Sequence, residues 1–504
     1  MTKETMEKLE IVRKTEKKME IYRHACNVLS YDQETICPPK GRESQGEVSA
    51  FLENQAFKLA KNEKYIEACE YIYEHRDELN DLDKVLAEKN YRNYEKVKNI
   101  TPEKNMEISL VYNKAFVDWS EAREASDFSK FKESLSKVYE INKEIVALRG
   151  NKNAGCVYDE LLDDYEREIT TEVLDECFGK CKERLLPLLK KITSSKKNIR
   201  RDFMEIEVTD DQQAKMAKWL LETIDFDLQR GAFTTSEHPF TNELGKDDIR
   251  VTTHYYPNYF IGSMYSIIHE GGHALFASLQ PREDFDHFLQ NSMTMGMHES
   301  VSRFYENRIG RSKEFVHLIY PKVCEVFPQV MKDVSEHELY EAINIVEPSL
   351  IRTEADELTY TFHVIIRYEI EKALFEGKIT IDELPNVWNE KYKEYLGIEP
   401  ETDREGVLQD VHWTFGFGYF PAYAIGNMYN SMYYNRMKNE IDINDLVSKG
   451  DFRSLNKWMA DNVFKKANRL SPSEWIKDIT GRNLTADDFL DYIEEKYTEI
   501  YELG

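Results

Sequence analysis

Residues 267–276 read IIHEGGHALF and place two histidines four positions apart, with a glutamate directly after the first. The segments on both sides have a helical pattern, so the motif is predicted to lie on a helix. Side chains four apart on a helix point the same way, and His269 and His273 are therefore predicted to share one metal ion. Glu270 points to the side, where a carboxylate can take a proton from a metal-activated water. The motif predicts hydrolytic chemistry with Glu270 as the general base.

Two glycines, Gly271 and Gly272, lie between the histidines. An interior glycine costs a helix on the order of 1 kcal/mol relative to alanine, so the pair needs a physical reason. Close approach of another backbone or of a substrate would supply one. The alternative interpretation of the whole motif is a pair of structural histidines with satisfied hydrogen bonds.

The third metal ligand is less clear from the sequence. Tetrahedral zinc needs three protein ligands and an open position, but residues 274–281, ALFASLQP, contain no further histidine. Downstream, MGMHESVSRFYENRIGRS supplies Glu299 at the start of another helical stretch. Spacing alone does not choose between Glu299 and its competitors, which are Glu283, Glu306 and Glu314.

Composition excludes several classes of partner. Acidic residues outnumber basic ones 93 to 67 in 504 residues, for a net charge of -26. This charge repels nucleic acid and anionic membrane surfaces. The first residues lack the apolar stretch of a signal peptide, and no segment reaches the length of a membrane span. Seven scattered cysteines, an odd number, argue against a disulfide framework. We expect a cytoplasmic protein that binds neither nucleic acid nor membrane.

Helical patterns dominate the chain and predict a mainly α fold. The length allows roughly three domains or one large helical body with a deep cleft. Residues 3–34 are predicted as a helix that PPKG at 38–41 ends, and Thr101 is predicted to cap another helix. A final helix is expected to bury one apolar stripe, and the cysteines of CFGKC are expected to pack on a helix face. The stripe comprises Phe489, Ile493, Tyr497 and Ile500.

The pattern changes between about residues 200 and 257. The segments MEIEV, GAFTTSEHPF and DIRVTTHYY are short, rich in β-branched and aromatic residues, and separated by turn residues. They predict a small antiparallel β-sheet set into the helical protein. Because the last segment runs into the histidine motif, the sheet is expected at the rim of the cleft.

Two further clusters are candidates for substrate contacts. Arg352 lies in IRTEADELTYTFHVIIRY, a charged window that continues into an apolar helix, and a solvated helix face is the alternative interpretation. GVLQDVHWTFGFGYFPAYAIGN places His412 and Tyr423 among glycines and aromatic residues, as in loops that approach a ligand. An aromatic core segment is the alternative there.

Taken together, the motifs resemble the ordered motif set of the carboxypeptidase Taq family over nearly the whole chain. This resemblance implies a mostly helical, saddle-like, homodimeric metallocarboxypeptidase with a long groove and broad specificity. It implies one domain, with residues 1–200 lining the groove and residues 201–504 holding the metal site, where zinc or cobalt would bind. The motifs are HPF at 238–240, D-x-R-x-T at 248–252, HEGGH, HES at 298–300, I-R-x-x-A-D at 351–356 and G-x-x-Q-D-x-H-W at 406–413.

The resemblance also assigns roles to single residues. It implies that His269, His273 and Glu299 bind the metal, that Glu270 activates water, and that Arg352 meets the terminal carboxylate of a peptide. Four residues in or beside the motifs would shape the side of the groove that holds the departing residue or stabilise the oxyanion: His238, Arg250, His412 and Tyr423. Positions that depart from the usual family pattern are Tyr31, His254 and Phe304-Tyr305.

Two rival functions stay open at the sequence level. Thimet-type oligopeptidases are also helical and cytosolic, carry H-E-x-x-H with a downstream glutamate, and cut short peptides internally. A binding or scaffold protein that has lost activity is the second rival, although the complete ligand set and Glu270 argue against it. The stretch expected of an aminopeptidase upstream of the metal motif is absent from the sequence.

Overall fold

The computed structural model describes residues 1–150 and 156–504, which fold mainly into α-helices around a small sheet. The helices before the sheet are α1 Lys3–Thr35, α2 Arg42–Ala60, α3 Glu63–Glu74, α4 Asp81–Val97, α5 Pro102–Ala125, α6 Ser129–Arg149, α7 Val157–Leu162, α8 Thr171–Thr193 and α9 Asp210–Thr223. The first helices after the sheet are α10 Phe260–Leu279, α11 Arg282–Asp286, α12 Met295–Arg303, α13 Lys313–Val326, α14 Glu336–Ala342 and α15 Tyr360–Phe375. The last are α16 Leu384–Leu396, α17 Pro421–Met437, α18 Ile443–Ser448, α19 Phe452–Asn462, α20 Pro472–Thr480 and α21 Asp487–Ile500.

Local sequence signals account for several helix ends. The hydroxyl of Thr2 accepts a hydrogen bond from the Thr5 amide at the start of α1, and Thr101 caps α5 in the same way, as predicted. Two helices confirm the predicted packing: α21 buries its apolar stripe, and α8 buries Cys177 and Cys181. All seven cysteines are free thiols.

Buried side chains form two clusters. The larger runs from α5 to the end of the chain and includes α10, α12 and α17. The smaller joins α1, α3 and α4 and includes Leu289, which follows α11. Within the described ranges, no helix is both long enough and apolar enough to cross a membrane.

The sheet is mixed, and the prediction of an antiparallel sheet was right for only one of its two strand pairs. Its strands are β1 Gly231–Thr235, β2 Thr241–Gly245 and β3 Asp248–Thr253, in the spatial order β1-β3-β2. A short connection lets β2 turn back antiparallel to β3, whereas β1 joins the opposite edge of β3 in parallel.

The predicted strand boundaries were partly wrong. MEIEV forms no strand because a 3-10 turn spans Asp202–Glu205, and only isolated side chains such as Val208 are buried there. TNELG, which became β2, was not anticipated, since Asn, Glu and Gly are poor strand formers. Pairing with β3 overrides this local preference.

Three helices meet closely around the histidine motif. A Cβ at Gly272 would lie 2.9 Å from the Cα of Ser302 in α12, and a Cβ at Gly426 in α17 would lie 3.1 Å from the Cγ of Glu299. Gly271 instead faces the side chain of Ile224. Close approach of another backbone is therefore the reason for the second glycine of the motif.

Candidate metal centre

Side chains from two helices converge on one point. His269 and His273 come from α10 and Glu299 comes from α12, and their ligand atoms all lie within 4.8 Å of one another. Glu299 Oε2 lies 3.7 Å from His269 Nε2 and 3.8 Å from His273 Nε2. The side chains are 19%, 12% and 12% exposed, in the order His269, His273 and Glu299. The structure brings together the two predicted histidines and the favoured candidate for the third ligand.

Neighbouring groups hold Glu299 in this orientation. Arg303, one helical turn further along α12, donates from Nε to Glu299 Oε1 at 2.8 Å. The hydroxyl of Ser302 donates to Glu299 Oε2 at 3.3 Å. Because Arg303 occupies one carboxylate oxygen, the other is left to face the histidines.

Glu306 orients the first histidine. Its Oε2 lies 2.8 Å from His269 Nδ1, so the ring donates from Nδ1 and the other nitrogen, Nε2, faces Glu299. Burial opposes the positive charge of His269, but Glu299 and Glu306 outweigh this effect and raise the pKa of His269 to about 9. Burial likewise opposes ionisation of Glu306, yet Arg303 and His269 lower the pKa of Glu306 to about 2. Glu306 is therefore ionised, and it contacts the ring nitrogen of His269 that does not face Glu299.

The donor set fits a divalent metal. Two imidazoles and one carboxylate are a common set for catalytic zinc, and ligand atoms around tetrahedral zinc are roughly 3.4 Å apart. The separations of 3.7 and 3.8 Å from Glu299 approach this value. With Nδ1 held by Glu306, Nε2 is the nitrogen of His269 that a metal would bind in place of the proton.

His273 packs against another histidine. Its ring stacks on His298, with centroids 4.1 Å apart and an interplanar angle of 13°. Burial and the neighbouring histidines hold the pKa of His273 well below its ordinary value, and burial lowers the pKa of His298 to about 4. Both rings are therefore neutral at pH 7, the state in which an imidazole nitrogen can bind a metal.

Glu270 lies beside the cluster and accepts a hydrogen bond from Thr241. The hydroxyl of Thr241, in β2, donates to Glu270 Oε2 at 2.7 Å and to the backbone carbonyl of Glu270 at 2.9 Å. Burial raises the pKa of Glu270 above its ordinary value, opposed by His269 and by the Thr241 hydrogen bond. A carboxylate whose proton affinity is raised is suited to accept a proton at neutral pH.

A second polar cluster surrounds Arg352. Asp410 accepts from Arg352 Nε at 3.0 Å and also lies 2.6 Å from Nη2 of Arg367. Burial opposes its ionisation, but Arg367 and Arg352 lower the pKa of Asp410 far below its ordinary value. Two guanidinium groups share one carboxylate, so these three groups have one excess positive charge. The interpretation of Arg352 as part of a solvated helix face was wrong, because its residue exposure is 6%.

Tyr360 links the two clusters. Its hydroxyl accepts a hydrogen bond from Arg352 Nη1 at 3.0 Å. The guanidinium of Arg303 lies over the same ring, 4.5 Å from its centroid. Arg303 in turn binds Glu299, so a continuous path of contacts joins Arg352 to the metal centre.

His412 and Tyr423 border the arginine cluster. His412 Nε2 lies 3.3 Å from the Tyr423 hydroxyl, and the Arg352 guanidinium lies 4.8 Å from the centre of the Tyr423 ring. Burial lowers the pKa of His412 to about 4, helped by Arg352 and opposed by Asp410. His412 is thus a neutral group beside a cationic cluster.

Comparison with known proteins identifies the family. The profile of carboxypeptidase Taq (M32) metallopeptidases matches residues 11–497. The chain therefore belongs to this metallocarboxypeptidase family. It is 36% identical to carboxypeptidase 1 of Bacillus subtilis over 487 residues, covering 96% of this chain and 97% of that protein. The M32 carboxypeptidase of Deinococcus radiodurans has a similar structure, with a TM-score of 0.95 at 28% identity, covering 98% of this chain and 100% of that one.

Other members of the family support the same assignment. Thermostable carboxypeptidase 1 of Thermus thermophilus is 34% identical over 485 residues, covering 94% of each chain. The mainly helical architecture with its small sheet is thus the fold of M32 carboxypeptidases, as the resemblance implied.

Two predicted substrate residues contact groups other than the proposed metal ligands. His238, in the connection between β1 and β2, is exposed, and its backbone carbonyl accepts a hydrogen bond from the hydroxyl of Ser236. Arg250 in β3 pairs with Asp248 at 2.9 Å, and its guanidinium lies 5.0 Å from the ring centre of Tyr31 in α1. Their roles in substrate binding stay predictions.

Several site residues were missed or misjudged from the sequence. Glu306 was considered only as a competing ligand, yet it follows Glu299 by seven residues, two helical turns, and so shares its face. The positions of Arg303 and Tyr360 follow from helix packing and carried no signal of their own. Asp410 was visible inside the G-x-x-Q-D-x-H-W motif, although no role was assigned to it.

Proposed function

We propose that the protein is a metal-dependent carboxypeptidase in which His269, His273 and Glu299 hold one divalent ion and Glu270 is the general base. The observation that carries the proposal is the convergence of the three ligand atoms within 4.8 Å, beside a buried carboxylate, in a chain of this family. We further propose zinc as the ion, with cobalt as a second choice, since both accept nitrogen and oxygen donors.

The reaction follows from the groups around the cluster. A bound divalent ion would polarise the scissile carbonyl and increase the acidity of water. Glu270 accepts a proton from the attacking water and returns it to the nitrogen of the departing residue. The hydroxyl of Thr241, 2.7 Å from Glu270 Oε2, holds the carboxylate in place during both transfers. Neutral His412 and Tyr423 are the groups we propose for hydrogen bonds to the peptide near the cleaved bond.

Recognition of a free C-terminus is assigned to Arg352. With Arg367 and Asp410 it forms a group with one excess positive charge, which the carboxylate of a peptide would neutralise. Because Tyr360 and Arg303 connect this group to Glu299, a peptide bound at Arg352 by its last residue would place its terminal peptide bond near the metal. This placement favours an exopeptidase, and we propose broad side-chain specificity from the family resemblance.

The test compares a short peptide as free acid and as C-terminal amide. We expect the wild type to cleave the free acid and to cleave the amide poorly. Arg352→Ala should reduce kcat/KM for the free acid by about 10²-fold or more, because a buried carboxylate would lose its partner, and add little on the amide. Arg352→Lys should be nearly as poor, since a point charge lacks the planar two-bond contact.

Controls separate a catalytic loss from a folding defect. Each variant is checked for metal content and thermal stability, and the same peptide acetylated at its N-terminus should still be cleaved by the wild type. Equal cleavage of the acid and the amide by the wild type would contradict the proposal and indicate an endopeptidase of the thimet oligopeptidase type.

The remaining properties are also proposals. We propose a homodimer that acts on peptides in the cytoplasm, following the family resemblance. Sedimentation of the purified chain would test the dimer, since a monomer at micromolar concentration would contradict it.

A further inference from the structure

A large polar cavity lies away from the metal ligands. It has a volume of about 1110 Å³ and is lined by residues from α13, α17 and α21 and from the turn after α12. Neither the three metal ligands nor Arg352 line it. Seven acidic and five basic side chains contribute to its wall, the basic ones being Arg308, Arg311, Lys313, Lys438 and Lys496.

Arg308 is the unusual member of this wall. The residue is only 7% exposed, and its guanidinium lies between two aromatic rings, 4.0 Å from the centre of Tyr434 and 3.5 Å from that of Tyr492. Among the residues that the structure describes, it forms no ion pair, and its Nε and Nη1 atoms are buried without a hydrogen-bond partner. Stacking covers the faces of the guanidinium but does not satisfy its N–H groups.

The ring beneath Arg308 is held rigidly. Tyr492 donates its hydroxyl hydrogen to Glu357 Oε2 at 3.2 Å and accepts a hydrogen bond from Lys496 Nζ at 3.0 Å. Lys496 also contacts Glu357 at 2.7 Å, so both groups of this buried pair already have partners. The neighbouring Lys313 pairs with Glu499 in the same way. Arg308 alone among these three cations has no carboxylate partner.

We propose that this cavity binds a small oxyanion, a phosphate or a carboxylate, through Arg308. A buried guanidinium with unpaired N–H groups is costly, and an oxyanion recovers that cost through charge-assisted hydrogen bonds. Two tyrosine rings that hold the guanidinium plane in place reduce the entropy lost when the anion binds. The exposed Lys438 at the cavity wall adds positive charge near the entrance.

Carboxylates of the protein are the competing partners. Seven acidic residues also line the cavity: Glu314, Glu440, Asp442, Asp488, Asp491, Glu495 and Glu499. Within the described part of the chain, none of them lies within 4.0 Å of Arg308 as an ion pair, and four pair with other cations: Glu440 with Arg436, Asp488 with Arg482, Asp491 with Arg184 and Glu499 with Lys313. If Glu314 or Glu495 rotated onto Arg308, the N–H groups of the guanidinium would be satisfied without a ligand. The experiment must therefore detect the anion directly.

Titration calorimetry of the full metal-loaded chain with inorganic phosphate, and separately with citrate, tests the proposal. We expect binding of at least one of the two, and the stronger of them identifies phosphate or carboxylate as the preferred group. Arg308→Met keeps an unbranched apolar stem between the tyrosines and removes the charge, so affinity should fall by at least about tenfold. Arg308→Lys should retain part of the affinity as a point charge.

A matched variant excludes the substrate groove. Arg352→Met removes the other buried arginine proposed to bind a carboxylate and should leave binding in the cavity unchanged. Binding that disappears with Arg352→Met and persists with Arg308→Met would overturn the proposal, as would the absence of binding of both anions to the wild type. If Arg308→Met fails to fold, wild-type crystals soaked in selenate provide the test. Anomalous density beside Arg308 would support the site, and the absence of such density there would overturn it.

Discussion

At the scale of single residues, the two oxygens of Glu299 have different neighbours. Oε2 faces the two histidines, whereas Oε1 accepts from Arg303. Arg303 also lies 3.2 Å from Glu306, the group that orients His269. One buried guanidinium therefore orients two of the three proposed ligands, one directly and one through Glu306.

Glu270→Gln tests the general base. The amide keeps the size of the side chain and can still accept from Thr241, but it cannot take a proton from water. We expect kcat to fall by about 10²-fold to 10⁴-fold with the metal content unchanged. Steady-state kinetics with metal analysis of the same sample checks this, and undiminished turnover in a metal-loaded variant would place the base elsewhere.

Glu306→Gln tests the orientation of His269. The amide can still accept from Nδ1 but lacks the negative charge that increases the basicity of the ring, and metal affinity should weaken by about 10-fold to 100-fold. Competition with a chelator of known affinity measures this without reference to activity. Glu283→Gln is the control, since Glu283 is 56% exposed and pairs with Arg469. Equal loss in both variants would contradict the role of Glu306.

At the scale of elements, the metal site depends on how α10, α12 and α17 pack. After Arg303, α12 continues into a π-helical turn, Phe304–Ile309, which carries Glu306 toward His269 and Arg308 toward the polar cavity. Such wide turns are rare within helices and frequent at functional sites. This one turn therefore carries a residue of the proposed metal centre, Glu306, and the main residue of the proposed anion site, Arg308.

Gly272→Ala tests the packing of α10 against α12. The added methyl group would lie 2.9 Å from the backbone of Ser302, which cannot move without displacing Glu299. We expect about 1–3 kcal/mol of destabilisation together with weaker metal binding. In the control, Gly271→Ala, the methyl group meets the end of the Ile224 side chain, which can rotate away.

Denaturant unfolding and chelator competition on both variants distinguish the two glycines. Gly271→Ala should stay within about 1 kcal/mol of the wild type, because the gain in helix propensity offsets the side-chain adjustment. If Gly272→Ala matched the wild type in both measurements, close backbone contact would not be the reason for this glycine.

At the scale of the whole molecule, a metal ion would join two core helices. α10 and α12 both belong to the larger buried cluster, and their proposed ligands meet inside it. An ion that binds only the folded chain stabilises it by mass action, by about 4 kcal/mol when free metal is 1,000 times Kd.

Removal of the metal should therefore lower the melting temperature. For a chain of 504 residues that unfolds cooperatively, a loss of about 4 kcal/mol corresponds to a shift of roughly 4 °C. Calorimetry with and without a chelator measures the shift, and added zinc or cobalt should reverse it. The variant His269→Ala should show the lower temperature in both conditions. If the chelated chain kept its melting temperature and its full activity, the proposal that the enzyme depends on a metal would be contradicted.

The sequence alone determined the elements whose signals are local. Helical periodicity and capping residues predicted α1, α5 and α21, and the spacing of His269 and His273 predicted a shared face. The ordered motifs identified the family that the comparisons confirm. These inferences succeeded because each depends on residues within a few turns of one another.

Only the tertiary structure decided the relations between distant segments. It brought Glu299 together with His269 and His273, and it placed Glu306 against Nδ1 of His269 and beside Arg303. It also placed β1 parallel to β3, and it enclosed Arg308 between two tyrosines from separate helices. Such arrangements arise when helices far apart in the sequence pack together, and no local pattern of residues specifies which side chains will then face each other.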